Sequence, residues 1–459
     1  MACTALVGIN WGDEGKGRMV DLLAEAFDIV VRFQGGANAG HKIINKFGKF
    51  DLHLLPSGVC RPGVVNILGN GVALDPETLI KEIADQKGIE ITPENLMISE
   101  RASLLLPWHR ELDVLEEARL KDKRDGSTKQ GIAPFYSDKN QKKTILAGEL
   151  FYPERLKKHV KELCAWKNLT LEKIYGAKPA SEKELMAWLN EYCERIKPFI
   201  KNTRDYLIKA DSDHKRILFE AQLGALRDLD FGIYPYTTSV STLASYAPIG
   251  AGVPGVEVDR VIGVIKAYST CLGDGPFVTE YTGEKGDQFR KMCGEDEPEG
   301  GRIVRIGPID LVASKYGTET QAATELALTK LDMLSDLEEI PLCVGYKLDG
   351  EVLTDMPFPA ALDRCEPVYE TMKGWKCDIS GIRNWWDLPE EAKAYVNRIE
   401  HAVGCVIRWI SVGPERHSII RRGQSFGFSA AFRDAEGCIF IPGEGCFPIM
   451  LDSLMLPVL

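Results

Sequence analysis

The sequence predicts an α/β fold in which a large, mostly parallel central sheet is flanked by helices and carries helical insertions. Three observations lead there. Short apolar runs of β type alternate with amphipathic helical patterns over the first hundred residues, the signature of strand–helix–strand units. The first run passes through a glycine-rich loop directly into a helix, as phosphate-binding turns do. A strongly helical stretch then interrupts the alternation in the middle of the chain.

The elements follow in order. Residues 5–9 read as a buried strand and 18–26 as the helix after the glycine loop. Strands are expected at 28–33 and 66–71, then a helix at 76–86 with Asp75 as its N-cap and Pro76 at its first position. From 153 to 201 the pattern is helical, with Leu156, Val160 and Leu163 on one face. Strand patterns return at 216–220, 260–268 and 341–346, and a helix at 388–403 leads into a strand at 405–411. Beyond Gly423 the chain is rich in glycine and phenylalanine, with weak β character. The expected organisation is one large domain, 1–422, with a helical subdomain at about 150–201, and a C-terminal extension, 423–459.

The composition narrows the function. The 459 residues are 44% apolar and 27% charged, ordinary for a globular enzyme. A net charge of -11 argues against general nucleic-acid binding, which needs a basic face. Twelve cysteines are scattered without a C-x-x-C pair. Cys3, Cys164, Cys271 and Cys343 lie in apolar stretches, where a thiol acts as a small buried hydrophobe. Reduced thiols, no basic leader before the first strand and no apolar run near the ~20 residues of a membrane helix point to a cytoplasmic protein away from membranes.

The sharpest local feature is Gly8-Ile9-Asn10-Trp11-Gly12-Asp13-Glu14-Gly15-Lys16-Gly17-Arg18. Its glycines allow successive N–H groups to face a phosphate at a helix N-terminus, and Lys16 adds a mobile positive charge. The usual P-loop pattern fails, because Asn10 replaces the first glycine and Gly17 the Ser/Thr that would hold magnesium. The acidic pair Asp13-Glu14 repels phosphate, which makes sense if Asp13 has a chemical task or holds a metal.

A second motif, Arg32-Phe33-Gln34-Gly35-Gly36-Ala37-Asn38-Ala39-Gly40-His41, follows the next strand. Together the two stretches resemble the W-G-D-E-G-K-G and Q-G-G-x-N-A-G-H signatures of the adenylosuccinate synthetase family. The likeness continues through Pro56-Ser57-Gly58, Ile265-Lys266-Ala267-Tyr268-Ser269-Thr270, Thr329-Lys330-Leu331-Asp332 and Tyr369-Glu370-Thr371-Met372 to about Gly413-Pro414. It implies a P-loop-like, GTPase-related fold and a GTP-dependent ligase. Such an enzyme forms adenylosuccinate from IMP and L-aspartate through a 6-phosphoryl-IMP intermediate, the first committed step of AMP synthesis. Magnesium is the implied cofactor and a homodimer with shared active sites the implied assembly.

The resemblance also assigns roles. Asp13 is the base for N1–H of the hypoxanthine ring and, with the Gly40 carbonyl, a magnesium ligand. His41 hydrogen-bonds the transferring phosphoryl group. Gly12, Gly15, Lys16, Gly17, Gly40 and His41 contact GTP phosphates. Lys330, Leu331 and Asp332, with Ser411, Val412 and Gly413, take the guanine base, and a carboxylate at 332 favours guanine over adenine. Asn38, Thr128, Thr238 and Arg302, together with Asp13, face IMP, and Lys143 stands where a partner subunit lends an arginine.

Three departures cluster around the substrates. The family's aspartate loop, T-T-G-R-x-R, corresponds to Glu299-Gly300-Gly301-Arg302-Ile303-Val304-Arg305. Arg302 is kept, the second arginine falls on Val304, and Arg305 is expected to compensate after a local shift, so that 299–302 and Arg305 form the aspartate-binding set. The family's E-G-A-Q-G reads Glu220-Ala221-Gln222-Leu223-Gly224 here, with the glutamine displaced by one. Lys143 replaces the lent arginine and loses its bidentate fork. Two alternatives therefore stand beside the main reading. One is a divergent paralogue using the same phosphoryl transfer on another amino donor or purine nucleotide. The other is a non-catalytic nucleotide-binding regulator, against which the retention of Asp13 and His41 counts.

Overall fold

The computed structural model describes residues 3–120, 127–297 and 302–423. Its framework is a ten-stranded sheet. In chain order the strands are β1 (Cys3–Gly8), β2 (Ile29–Arg32), β3 (Val65–Leu68), β4 (Leu96–Ser99), β5 (Ile200–Lys201), β6 (Ile217–Glu220), β7 (Arg260–Lys266), β8 (Glu325–Thr329), β9 (Ile407–Ser411) and β10 (Ile419–Arg421). Their spatial order is β10-β9-β8-β7-β1-β6-β2-β3-β4-β5. Every pairing is parallel except β9–β10.

β1 lies in the middle, and all six of its residues are buried. That is what a strand covered on both faces requires, and it explains a continuous apolar run in place of alternation. The register pairs Leu6 with Glu220 and Gly8 with Val264. The C-terminal ends of β1, β2, β6, β7 and β8 therefore sit side by side, the place where parallel sheets bind ligands.

The helix at Pro76–Asp85 is capped as expected, the Asp75 side chain accepting from Thr78 N–H. The helical stretch becomes Pro153–Lys173, Glu182–Trp188 and short turns to Phe199, and Leu156, Val160 and Leu163 join Leu185 and Leu189 in one core cluster. Other boundaries differ. The first helix starts at Lys16, two residues early, because Gly15 takes a left-handed conformation (φ 93°) that turns the chain into it. The run at 341–346 belongs to a longer strand, Glu339–Leu348, which lies outside the central sheet. It pairs there with Ile309–Asp310, Glu351–Leu353 and Glu366–Lys373.

The described residues up to Arg421 form one compact unit. The β character expected beyond Gly423 concerns 424–459, outside the described residues. Every cysteine among the described residues is a free thiol, and Cys3, Cys164, Cys271 and Cys343 are buried. Among the described residues no helix is long and apolar enough to cross a membrane.

Candidate active site

A cleft of about 1220 Å³ opens above the C-terminal ends of the central strands. The loop from β1 forms its floor. Asp13 (φ 60°) and Gly12 (φ 104°) both lie in the left-handed region, which folds the loop back on itself before the helix Lys16–Leu23. The acidic pair has divided duties. Glu14 is 2% exposed and serves as an internal anchor, accepting from the N–H groups of Gly12 (2.9 Å) and Asn10 (3.1 Å) and from Lys16 Nζ (2.5 Å). Lys16 is thus tied down and 4% exposed, not the mobile charge expected from its place in the loop. Its positive charge offsets the repulsion that an acidic loop would exert on phosphate.

Asp13 keeps a third of its side chain exposed (31%). Its Oδ2 accepts from Lys266 Nζ at 2.8 Å, at the end of β7. Lys266 also donates to Glu295 (3.0 Å) and Thr270 (2.8 Å), and Glu295 accepts from Lys330 Nζ and Tyr268 Oη. Burial alone would lower the Lys266 pKa, but Asp13 and Glu295 raise it above its ordinary value. Burial likewise opposes the charge on Glu295, and the two lysines hold its carboxyl below the usual range. The base candidate is therefore held by a fixed ammonium that is itself neutralised from behind.

His41 begins the hairpin strand His41–Asn45 and faces the same cleft. Its Nδ1 lies 2.8 Å from Glu220 Oε1 and 3.2 Å from Ser57 Oγ. Glu220, fully buried at the end of β6, also accepts from Ser57 N–H (2.8 Å) and Ser57 Oγ (2.5 Å). Burial would raise the Glu220 pKa, yet His41, Ser57 and Arg32 bring it below the ordinary value. A carboxylate at Nδ1 makes that nitrogen the donor and turns Nε2, unpartnered among the described residues, to the cleft. Gly17 packs under the imidazole so closely that a Cβ there would stand 2.6 Å from His41 Cβ.

At the far end of the cleft Asp332 lies in the turn Leu331–Leu334 after β8, launched by Lys330 in a left-handed conformation (φ 58°). Its Oδ1 is buried and has no hydrogen-bond partner among the described residues. Burial pushes the carboxyl above its ordinary range, with Arg18 and Lys330 pulling the other way. Arg18 donates to Ser411 Oγ and to the Ser418 carbonyl, stitching the loop after β9 to the start of the first helix.

The cleft brings together most of the sequence-predicted residues. Gly12, Asp13, Gly15, Lys16 and Gly17 line it from the phosphate loop, Asn38, Gly40 and His41 from the second motif, and Lys330, Asp332 and Gly413 from the far end. Thr128, Thr238 and Arg302 line it as well. Leu331, Ser411 and Val412 are buried behind the wall and shape its backbone. Lys143 is not in the lining; its Nζ stands 4.7 Å from the Trp166 ring centroid. Glu299, Gly300 and Gly301 lie outside the described residues.

Arg305 departs from its expected place. Its guanidinium pairs with Glu280 (2.9 Å at Nε) and donates to the Gly273 and Gly275 carbonyls, so it braces the neighbouring loop and is absent from the cleft wall. Val304 is 2% exposed, so an arginine in that register would be driven into the core. The sequence reading missed Glu220, Ser57, Lys266 and Glu295. The signal was present for two of them, a carboxylate and a lysine ending otherwise apolar strands.

Comparison with known proteins identifies the family. The sequence profile of adenylosuccinate synthetase matches residues 5–420. The chain belongs to the adenylosuccinate synthetase family. It is 44% identical to the adenylosuccinate synthetase of Caldanaerobacter subterraneus over 92% of this chain and 99% of that one. The enzyme of Halothermothrix orenii is 43% identical with the same coverage. The fully ligated adenylosuccinate synthetase of Plasmodium falciparum superposes with a TM-score of 0.85 at 35% identity, covering 92% of this chain and 100% of that one. The family membership makes the chain a GDP-forming ligase of purine biosynthesis.

Proposed function

We propose that the cleft joins L-aspartate to C6 of IMP at the expense of GTP, with magnesium, in a cytoplasmic homodimer. One observation carries the reading: Asp13, from the loop after β1, and His41, at the start of the hairpin strand, face one cleft, and each is held from behind by its own buried counter-charge, Lys266 and Glu220.

The chemistry follows from these positions. O6 is a poor nucleophile until N1–H is removed, and Asp13 is the carboxylate placed to remove it. O6 then attacks the γ-phosphorus, the bond to the β-phosphate oxygen breaks, and GDP leaves. Acting as an imidazolium, with Nδ1–H held by Glu220, His41 offers Nε2–H to the phosphoryl oxygens as charge gathers on them. The aspartate amine next attacks C6, and the C6–O6 bond breaks with release of phosphate. Asp332 accepts guanine N1–H and N2–H₂, Asn38, Thr128 and Thr238 hold the nucleoside monophosphate, and Arg302 pairs with a carboxylate.

The donor set suits magnesium. Asp13 Oδ1, unpartnered among the described residues, and the carbonyl of exposed Gly40 are hard oxygen ligands of the kind that ion prefers. Bound there, magnesium would neutralise phosphate charge. The homodimer reading draws on Lys143, whose positive group lies outside its own cleft. Mixing Lys143→Ala with Asp13→Ala subunits should restore activity through hybrid sites. The compartment reading draws on the free thiols.

A second reading, another amino donor, has one observation in its favour: of the described residues 302–305, Arg302 alone lines the cleft. A product assay with IMP, GTP and magnesium against a panel of amino acids separates the two. Aspartate should give adenylosuccinate, and Asp13→Ala and His41→Asn should each lose at least ~100-fold in kcat while still binding GTP. Product from another amine but none from aspartate would install the second reading.

A further inference from the structure

The displaced glutamine of the β6 loop has a place in the site. Leu223 takes φ 62°, a left-handed conformation uncommon for a non-glycine residue, and lies against Gly12, where a Cβ would stand 3.2 Å from Leu223 Cα. That turn sends Gln222 under the loop of the second motif. Its carbonyl accepts from Gln34 Nε2 at 2.7 Å, and a Cβ on Gly35 would meet Gln222 Oε1 at 1.9 Å. The second motif is therefore folded around this amide.

Chemistry fixes which way the amide points. Arg32 Nη2 (2.6 Å) and Gly36 N–H (3.0 Å) stand on one side of it. Both are pure donors, so the oxygen faces them. The Nε2 group then donates to Asn38 Oδ1 at 2.7 Å. With that oxygen engaged, Asn38 turns its Nδ2 group, unpartnered among the described residues, to the cleft that it lines.

We propose that Gln222 is a positioning residue for substrate recognition, setting the polarity of Asn38 so that this point of the cleft donates a hydrogen bond. Such a point takes an oxygen acceptor of the monophosphate substrate, a phosphate or ring carbonyl oxygen, and rejects a donor. The inference depends on the reading of Asn38 as a nucleotide contact, and the experiment separates the two.

Three variants would be compared with the native enzyme in IMP KM, GTP KM and unfolding temperature. Gln222→Glu keeps both acceptor bonds to Arg32 and Gly36, but its second oxygen confronts Asn38 Oδ1. Asn38 must turn, and an oxygen then faces the substrate acceptor. The expected result is an IMP KM raised by ~10–100-fold, with GTP KM little changed and an unfolding temperature near native. Gln222→Met keeps the volume and loses the three side-chain hydrogen bonds, to Arg32, Gly36 and Asn38. It should unfold at a lower temperature yet raise IMP KM by only ~3–10-fold, because Asn38 is then free to turn either way. The order in KM thus opposes the order in stability. A purely structural role would make Met the worse variant in both, and that result, or a Glu variant with native IMP KM, overturns the proposal. Asn38→Ala reports on the underlying reading. If it leaves IMP KM unchanged, Asn38 does not meet the substrate and the proposal falls with that reading. If it raises IMP KM while Gln222→Glu does not, the proposal falls alone.

Discussion

Asp332 offers the most direct test of the nucleotide donor. Its Oδ1 is buried and unpartnered among the described residues, a condition that costs a polar atom about 1–3 kcal/mol until something donates to it. Guanine presents two donors, N1–H and N2–H₂, and each hydrogen bond to a carboxylate contributes about 1.5–3 kcal/mol. Asp332→Asn keeps one acceptor and places an NH₂ against a guanine donor, so one charge-assisted bond is lost and two N–H groups oppose each other in its place. About 3 kcal/mol corresponds to roughly a hundredfold loss in kcat/KM for GTP. ATP, which lacks both donors, should be little affected. Inosine triphosphate lacks only the 2-amino group and should lose about tenfold with the native enzyme.

The acid limb adds an independent sign. Because burial raises the Asp332 pKa, its acceptor form is lost at a higher pH than for an exposed carboxylate. KM for GTP should therefore climb early on acidification in the native enzyme, and that climb should vanish in Asp332→Asn. Steady-state assays with the three nucleotides across pH decide it. Equal native use of GTP and ATP, or an unchanged preference in the variant, would refute the reasoning.

Other outcomes are expected. Glu220→Gln removes the charge behind His41 Nδ1 while keeping the volume. It should lower kcat by about 10–100-fold with KM for IMP and GTP nearly unchanged; a native kcat would end the orienting role. Arg302→Leu should all but abolish aspartate use, whereas Arg305→Leu should chiefly lower the unfolding temperature, since Arg305 is engaged by Glu280 and two carbonyls. The reverse ranking of aspartate KM would place Arg305 in the pocket. Asp310 caps a helix and accepts from Tyr346 Oη, and burial raises its carboxyl to about 6. The folded protein then holds the extra proton between the unfolded value near 4 and that pKa, so this group's contribution falls as pH rises through the window. Asp310→Asn, which caps equally well, should gain stability relative to native by up to about 3 kcal/mol between about pH 4.5 and 7.5, read as the difference in unfolding temperature.

Much of this site was legible in the sequence, for physical reasons. Gly15 and Gly17 are required by a left-handed turn and by contact with His41, so the backbone writes them into the chain as fixed spacings. The central strands announced themselves because burial on both faces leaves continuous apolar runs, too short for helices and bounded by glycine-rich loops. The partners of Asp13 and His41 were harder to read. Lys266 and Glu295 are 29 residues apart, and Glu220 lies far along the chain from His41, so only the sheet order brings them together. Arg305 was misplaced because spacing cannot say whether a guanidinium near a substrate loop faces the cleft or a carboxylate behind it. The register at Gln222 hinged on one left-handed leucine, which no propensity would assign.

The contact between Gly17 and His41 has a consequence for how such loops diverge. In ordinary phosphate loops the residue at this position bears a hydroxyl that holds the metal. Here any Cβ would collide with the imidazole. The hydroxyl and the histidine are rival tenants of one volume, so no single substitution leads from either arrangement to the other through an intermediate that keeps both. Grafting Thr at 17 to add a hydroxyl ligand would displace His41.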